Sequence, residues 1–517
     1  MLKASGAMAA ATLLSRVLGM VREMVYAGFM GDGWVASAFA YAFQIPNLFR
    51  RLLGEGALTA AFIPIFKAKE KTHGEVEMWR AANAVISGLV IAASVIIGLA
   101  MLGISLVLAV HQFSVETELM LRLLRVMFPY MLLVCVAAAF MGMLNARGHF
   151  FIPAMGATML NLVMIASVLF LAPHLGTHLP EQIFALAFGV LAAGVAQAAF
   201  QLPLLSHEGF RYRWVSPWKN ETVRLVVTRM IPGTIGVAAF QINIVLTQTI
   251  SFWVGEHIVA SFNYAVRLME LPQGMFGISL ATFLLPTLTG LALDKNYPEF
   301  RKTLCHGIST LLFANLIAAI LLVVLAEPIV RLLFERGAFT AASTERASLA
   351  LICLAPGLVA FSTVNILARA FFALGDTKTP MKISLACLAL NLLIALALVV
   401  PLKQGGLGIA NTITSVANAG LLFFALRKKL ARLDMASLRA TFLPLAIAGL
   451  AAGLIAWQGW RLWETTLGHE TLALKIGAVF VPAITAGLVY GILALTFKIP
   501  AAKEMMAFAL ARFKRRN

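Results

Sequence analysis

Runs of about twenty apolar residues recur along almost the whole chain and limit its possible folds more than any other feature. The hydrocarbon core of a bilayer is about 30 Å thick, so one spanning helix needs roughly 20 such residues. We identify fourteen runs, at about 5–30, 35–66, 81–110, 119–144, 153–172, 182–205, 225–253, 259–291, 303–326, 346–374, 381–401, 405–426, 440–460 and 472–497. Of the 517 residues, 61% are hydrophobic and 12% are charged, which excludes a soluble globular domain. The sequence therefore predicts an all-α integral membrane protein with about 14 transmembrane helices.

The net charge of +18 comes from basic residues that lie in every second loop. The loops at 31–34, 111–118, 173–181 and 255–258 contain neither Lys nor Arg, whereas those at 67–71, 211–219, 300–302, 376–382 and 427–432 and the tail at 513–516 are basic. Positively charged loops of membrane proteins face the cytoplasm. Both termini are therefore predicted to be cytoplasmic, and the basic excess indicates contact with anionic membrane lipids rather than with nucleic acid.

Nothing in the sequence indicates an enzyme. It contains no Walker A sequence and no H-E-x-x-H, and its histidines lack the spacing of metal ligands. We therefore predict no catalytic residue, no bound metal and no cofactor. Arg16 and Arg22 interrupt the first apolar run too early for a secretory signal, so this run is expected to remain as the first span.

An internal repeat organises the first twelve spans. The pattern of Pro129, Gly148 and Pro153 returns 227 residues later as Pro356, Gly375 and Pro380. Two lobes of six spans follow, an N-lobe at 1–220 and a C-lobe at 221–430, and because six is even the two lobes are parallel. Two extra C-terminal helices at 431–497 and a basic amphipathic cytoplasmic tail at 498–517 have no counterpart in the repeat.

Three predicted spans carry charged residues on one helical face. At about 100° per residue, the polar residues of the first span share an arc of about 120°, and the second and eighth spans show similar stripes. The three sets are Ser15, Arg16, Gly19, Arg22 and Glu23; Gln44, Asn47, Arg50, Arg51, Gly54 and Glu55; and Asn263, Arg267, Glu270 and Gly274.

A charged side chain at the bilayer centre costs roughly 2.5 to 3.5 kcal/mol even on the lenient insertion scale, so these stripes predict a hydrated or paired interior. Snorkelling or structural pairing is the alternative for Arg51 and Glu23, and also for the pair Arg267 and Glu270. Arginine presents five donors that suit phosphate or carboxylate, whereas a cation transporter would need acids. The sequence thus favours transport of an anion.

Five separated segments support a family assignment: SRVLGMVRE at 15–23, IPNLFRRLLGEGALTAAFIP at 45–64, YAVRLMELPQG at 264–274, LFERGAFT at 333–340 and ALGDTKTP at 373–380. Together they resemble the bacterial lipid II flippase family MurJ (MviN), of the multidrug/oligosaccharidyl-lipid/polysaccharide exporter superfamily. The resemblance implies a V-shaped cavity between two six-helix lobes and a groove for the lipid tail at 431–497. It also implies alternating-access transport of lipid II, an undecaprenyl-diphosphate-linked precursor of peptidoglycan, across the bacterial inner membrane.

The family's cavity arginines correspond to Arg16, Arg22, Arg50 and Arg267, which the resemblance implies hold the diphosphate and the acidic headgroup. Neighbouring motif positions add Ser15, Asn47, Glu55 and Glu270 to the predicted substrate-binding residues, and Arg51 and Glu23 are secondary candidates. Many members have an acid at the position of Ser37 and Asp at that of Glu23. The first departure puts an acid-dependent step at Ser37 in doubt, whereas the second keeps the charge.

Some members resemble a sodium-binding design, but here the nearest polar groups are Gln241, Asn243 and Asn391. Sodium coupling is therefore doubtful, and the membrane potential acting on an anionic substrate is the expected driving force. Lipid II, membrane lipids and wall-synthesis proteins are the expected partners.

Three other functions remain open. A flippase for another polyprenyl-diphosphate oligosaccharide, of the O-antigen type, shares the same chemistry. A drug or cation antiporter like the MATE transporters of the same superfamily predicts intramembrane acids. A membrane scaffold for wall-synthesis enzymes needs no charged stripe.

The segment 327–345 is an exception to the charge rule, because it lies on the outer side yet contains Arg331 and Arg336. We interpret it as an amphipathic interfacial helix whose Ile329, Leu332, Leu333 and Phe339 face lipid. The alternative is a gate that closes the outer side.

Overall fold

The computed structural model describes residues 2–49, 51–52, 59–218, 220–430 and 435–504. These residues form helices and no strand, as the sequence predicts. The α-helices are α1 Leu2–Met30, α2 Trp34–Phe49, α3 Thr59–Val110, α4 Val115–Met127, α5 Tyr130–Ala146, α6 Phe151–Ala166, α7 Leu179–Gln182, α8 Phe184–His207, α9 Glu221–Val254, α10 Ile258–Pro272, α11 Ser279–Leu293, α12 Tyr297–Val324, α13 Ala326–Phe334, α14 Ala341–Leu354, α15 Gly357–Ala373, α16 Lys378–Lys429, α17 Met435–Thr466 and α18 Leu472–Thr496.

The described part of the chain contains eight helices long and apolar enough to cross a membrane, or up to ten if each bent pair forms one span. The bent pairs are α4 with α5, at 41°, and α14 with α15, at 46°. This confirms a multi-pass, all-helical membrane protein. The number fourteen stays a prediction.

Two of the helices, α3 and α16, are each longer than one membrane crossing. Each has 52 residues, or about 78 Å at the α-helical rise, against a hydrocarbon core of about 30 Å. Each contains one residue with non-helical dihedral angles, Gly74 at φ 81° and Lys403 at φ 48°. Each therefore consists of two helices, and the breaks fall where the sequence predicts loops, between 66 and 81 and between 401 and 405.

The predicted repeat has a direct counterpart in the helix boundaries. Adding 227 to the bounds of α5 gives those of α15, and adding it to the first residue of α6 gives the first residue of α16. Pro129 and Pro356 are the N-caps of α5 and α15, and Gly148 and Gly375 follow these helices with φ of 90° and 72°. The repeated spacing thus marks the same turn in both halves, where a positive φ favours glycine.

The chain divides into two compact units. The first comprises Met1–Ala260 with Arg336–Phe339, and its core joins α3, α5 and α8 through Phe66, Met78, Phe140 and Leu205. The second comprises Ser261–Glu335 with Thr340–Asn517, and its core joins α11, α12, α15 and α16. The lobe boundaries at 220 and 430 stay predictions.

Within the second unit, the C-terminal helix α17 packs on α12 through small residues. Gly449 and Gly453 of α17 approach α12 closely, because a Cβ on either would lie 2.6 or 3.0 Å from the Ile320 side chain. Small residues four apart are typical of membrane helix contacts, where they let backbones approach. Ala501 and Ala502 at the start of the tail are also buried in the α12–α17–α18 core. Most of the predicted amphipathic tail, 505–517, lies outside the described residues.

The interfacial interpretation of segment 327–345 is wrong for Phe339, which is 1% exposed and packs against protein rather than lipid. Ile329, Leu332 and Leu333, the other residues expected to face lipid, are partly exposed. The Arg331 side chain is 12% exposed and forms ion pairs with Glu327, Glu335 and Glu464. An arginine surrounded by three carboxylates needs no water, which is why the sequence pattern was misleading here.

Candidate functional site

The charged stripe of α1 lies opposite the apolar surface of the same helix. Leu13, Leu14, Val17 and Val21 are the exposed large side chains, and they fall between about 160° and 260° when Ser15 is set at zero and each residue turns about 100°. The predicted polar arc lies on the other side. The exposed apolar side chains and the predicted polar stripe thus lie on opposite faces of α1.

Arg22 lies in a closely packed part of α1. Its Nη2 lies 2.5 Å from Glu23 Oε1, and both side chains are only 12% exposed. The guanidinium also lies over the ring of Tyr26, 5.4 Å from its centroid. Its Nε is buried without a hydrogen-bond partner. Arg22 is thus held by one carboxylate and one ring while a donor remains unused, and an unpaired buried donor is unfavourable unless a ligand uses it.

Contacts to α6 fix the rotation of α1. Asn161 of α6 donates a hydrogen bond from Nδ2 to the Ser15 carbonyl, at 3.0 Å. A Cβ on Gly19 would lie 3.6 Å from the same amide, so α1 and α6 pack closely at this level. Arg16, next to Ser15, is partly exposed. Arg16 and Arg22 therefore share the predicted face but differ in confinement.

The second predicted set is described only in part. Asn47 is buried in α2, one residue after Pro46, and Arg51 is partly exposed. Arg50 and Glu55 lie outside the described residues.

In the second unit, Arg267 and Glu270 of α10 form an ion pair on one helix face. Arg267 Nη1 lies 2.8 Å from Glu270 Oε2, and both side chains are more than 40% exposed. A π-helix at Gln273–Ile278 follows Pro272. A Cβ on Gly277 would lie 2.7 Å from Ser362 Oγ, so this glycine allows close packing on α15. The α-helical pattern thus changes to a π-helical turn directly after the pair, a form often found at functional sites.

Ser37 makes two hydrogen bonds at the start of α10. Its Oγ donates to the Glu256 carbonyl at 2.5 Å and accepts from the Ala260 amide at 3.3 Å. Ala260 lies in the first turn of α10, so Ser37 caps this helix from another part of the chain. A hydroxyl can donate and accept at the same oxygen, whereas an ionised acid only accepts. Serine at this position is therefore compatible with a capping role that needs no carboxylate.

The end of the first unit that is predicted to face outward also holds a contact that sequence reasoning missed. Ala338 donates from its amide to the Gly28 carbonyl at 2.9 Å, and a Cβ on Gly31 would lie 2.6 Å from the Ala338 carbonyl oxygen. His257 Nδ1 lies 3.1 Å from the Asp32 carbonyl oxygen. We name Gly28, Gly31 and 336–339 the outer joint. The one local sequence feature that could have indicated this contact is Gly337 in LFERGAFT, which has a positive φ of 54°.

A second missed feature ties α13 to the C-terminal helices. Arg331 Nη1 lies 3.0 Å from Glu464 Oε1 in α17, and Lys475 of α18 lies 3.2 Å from Glu335. The partners are more than 130 residues apart in sequence, so no local pattern reveals them. The result is a charged network that joins the two C-terminal helices to α13.

Ion pairs also join helix ends at the side predicted to be cytoplasmic. Arg147 Nε lies 2.8 Å from Glu208 Oε2. Its Nη1 lies 2.5 Å from Glu70 Oε1, and its Nη2 lies 2.8 Å from Glu75 Oε1. The hydrogen bond from Arg147, with a second from His149, holds the pKa of Glu208 below its usual range.

A corresponding ion pair in the second unit joins Asp376, after α15, to Lys429, at the end of α16, at 2.6 Å. The hydrogen bonds from Lys429 and from the Thr379 amide hold the pKa of Asp376 well below its usual range. Among the described residues, no group of three or more His, Cys, Asp or Glu side chains could hold a metal ion.

Comparison with known proteins gives consistent matches over most of the chain. The family model for lipid II flippase MurJ matches residues 26–476. A probable lipid II flippase MurJ of Haemophilus influenzae is 33% identical over 86% of this chain and 90% of its own length. The lipid II flippase MurJ of Burkholderia cenocepacia is 32% identical over 86% of this chain and 88% of its own length.

Solved structures show the same fold. A lipid II flippase MurJ in an inward closed conformation superposes with a TM-score of 0.79 at 21% identity, over 95% of this chain and 98% of that one. An inward-facing MATE family multidrug transporter of the MOP superfamily gives a TM-score of 0.66 at 14% identity, over 82% of this chain and 98% of that one. The motifs, the helical fold and these matches agree, and the chain belongs to the lipid II flippase MurJ family.

Proposed function

We propose that this protein carries lipid II from the cytoplasmic to the periplasmic leaflet of the bacterial inner membrane. The headgroup of lipid II carries a diphosphate and acidic groups, and guanidinium groups bind such oxygens through paired hydrogen bonds. Arg16, Arg22, Arg50 and Arg267 supply these groups. Ser15, Asn47, Glu55 and Glu270 position them or contact the sugar.

The state of Arg22 is the observation that supports this proposal most. A guanidinium on a spanning helix is held by Glu23 and Tyr26, with a buried Nε that has no partner. A purely structural arginine would use all its donors, because an unsatisfied buried donor costs about 1 to 3 kcal/mol. A phosphate oxygen that reaches Nε would remove this cost when substrate is bound.

The chain works without a catalytic step, by alternating access of the cationic residues to the two leaflets. The membrane potential drives the cycle, since moving one charge through 100 mV changes the free energy by about 2.3 kcal/mol. Sodium coupling is not part of the proposal. Both termini lie in the cytoplasm, and wall-synthesis proteins at the outer face receive the product.

A binding experiment separates this function from the two transport alternatives. Full-length protein is titrated with lipid II, with an undecaprenyl-diphosphate O-antigen precursor and with a lipophilic cation, and native mass spectrometry measures each affinity. We expect lipid II to bind tightest, and Arg22→Ala to weaken it about tenfold or more, because hydrogen bonds to charged groups contribute about 1.5 to 3 kcal/mol.

The matched control is Arg80→Ala, which removes an exposed arginine paired with Glu77. It should leave all three affinities unchanged. Tighter binding of the O-antigen precursor or of the cation by the unmodified protein would refute the lipid II assignment. A scaffold function would be indicated if no substrate bound.

A further inference from the structure

Residues 211–218, the aromatic–basic segment, connect α8 to α9 and form neither helix nor strand. The segment begins at a fixed point, because the preceding Phe210 is buried against Trp79 and Phe140 with ring centroids 5.6 and 5.8 Å apart. Two hydrogen bonds then hold it on α3. Asn83 donates from Nδ2 to the Arg211 carbonyl at 3.0 Å, and Ser87 Oγ lies 3.2 Å from the Tyr212 hydroxyl. The segment is therefore fixed in place by specific contacts.

This fixed segment presents large aromatic and cationic side chains outward. Trp214 is 61% exposed and Trp218 is 74% exposed. Arg211 and Arg213 are exposed as well. Two exposed tryptophans on a fixed backbone form an apolar surface that water solvates poorly, which indicates a binding partner.

The position of the segment on α3 identifies the medium around it. A Cβ on Gly88 of α3 would lie 3.2 Å from Pro217 and 3.5 Å from Val223 of α9, so the segment meets both helices at Gly88. Before Gly88, α3 bears the polar residues Asn83 and Ser87. After it, Val95 and Leu99 are exposed apolar side chains of the kind that face lipid. The segment thus lies at the level where α3 enters the hydrocarbon region.

The charge of the segment selects among lipids. Residues 209–220 contain two arginines and one lysine and no acid. Two acids flank this stretch in sequence: Glu208 is already bound by Arg147 and His149, and Glu221 lies in the first turn of α9. The segment belongs to a basic loop, and such loops face the cytoplasm. A net positive, aromatic surface at the bilayer interface suits anionic headgroups.

We infer that residues 211–218 form a binding site for the phosphate headgroups of anionic phospholipids in the cytoplasmic leaflet. Trp214 and Trp218 lie at the headgroup level with their rings toward the acyl chains, and Arg211 and Arg213 pair with the phosphates. Bound lipid holds the N-terminal end of α9 at the membrane surface through the contacts at Gly88.

Native mass spectrometry of the full-length protein with phosphatidylglycerol tests the charge requirement. Arg211→Gln with Arg213→Gln should weaken phosphatidylglycerol binding by about fivefold for each arginine removed, because each basic residue near an anionic surface contributes about 1 kcal/mol. The control is Arg80→Gln, an exposed arginine on the same α3 that pairs with Glu77. Equal weakening by Arg80→Gln, or no weakening by the double variant, would overturn the inference.

Tryptophan fluorescence tests the contact itself without relying on the arginine variants. The full-length protein is placed in nanodiscs with lipid brominated on its acyl chain, either phosphatidylglycerol or phosphatidylcholine. The protein has eight tryptophans. The contribution of Trp214 and Trp218 is obtained by subtracting the fluorescence of the double variant Trp214→Phe, Trp218→Phe from that of the unmodified protein. We expect this contribution to be quenched more by brominated phosphatidylglycerol. Equal quenching by both lipids would overturn the headgroup preference, and no quenching by either would place the segment against a protein instead.

Discussion

Three arginines of this protein differ in how completely carboxylates surround them. Arg147 and Arg331 each lie against three carboxylates. Arg22 has one carboxylate partner, Glu23, and an unused Nε. An arginine that is surrounded by carboxylates holds helices together, whereas one with an unused N–H donor can bind a ligand. The sequence alone shows only that all three are arginines in an apolar chain.

Arg331 should be essential for stability. Arg331→Met leaves three carboxylates near one another without a cation, and breaking a buried ion pair costs about 3 to 5 kcal/mol. Chemical denaturation in detergent micelles measures the loss. Arg80→Met removes an exposed pair and should cost at most about 1 kcal/mol. A loss for Arg331→Met no greater than that of Arg80→Met would show that the network is only a surface feature.

Asp376 should make stability depend on pH in the acid range. Its pKa is lower in the folded protein than the value of about 3.9 typical of unfolded chains. A depressed pKa contributes stability that is complete above the unfolded value and is lost as the pH falls toward the folded one. The Tm difference between the parent and Asp376→Asn should therefore be largest near pH 7 and shrink below about pH 4.

Glu77→Gln, which alters an exposed pair with Arg80, serves as the control for this pH series. Its Tm difference from the parent should be small throughout. A difference for Asp376→Asn that stays constant, or that grows on acidification, would mean that the pair with Lys429 does not stabilise the fold.

Helix boundaries are the level at which sequence reasoning succeeded best. The breaks at Gly74 and Lys403 and the turns at Gly148 and Gly375 fall where apolar runs end or where proline and glycine recur. These signals are local, so one sequence suffices to detect them. Contacts such as Ser37 with Ala260 join residues 223 apart, and no local pattern specifies them.

The outer joint should depend on glycine at position 31. Gly31 has φ of 61°, and an added Cβ would lie 2.6 Å from the Ala338 carbonyl oxygen. Gly31→Ala should therefore destabilise the joint by about 1 to 3 kcal/mol and increase hydrogen exchange at the Ala338 amide. Gly33→Ala is a close control, because a Cβ there meets nothing within 4 Å. Equal exchange in both variants would contradict the proposed contact.

The whole molecule combines two similar halves, and each half has an ion pair between helix ends, with the acid and the base in opposite order along the chain. In the first unit the acid, Glu208, follows α8 and its basic partner Arg147 follows α5. In the second unit the base, Lys429, ends α16 and its acidic partner Asp376 follows α15. This opposite order favours pairing within each unit. Arg147 would repel Lys429, and Glu208 would repel Asp376. The repeat was predictable from the spacing of proline and glycine. The ion pairs were not predictable, because Glu208 and Lys429 lie far along the chain from their partners.

Transport of lipid II through the cationic residues is the central claim, and its most direct test is the amount of lipid II exposed at the outer leaflet. Cells depleted of their own flippase would express the parent protein, Arg22→Ala, Arg267→Ala or the control Arg80→Ala, each shown to be inserted at equal levels. We expect the parent and Arg80→Ala to restore exposure and the other two variants to fail. Restoration by all four would contradict the account, because Arg22 and Arg267 would then be structural.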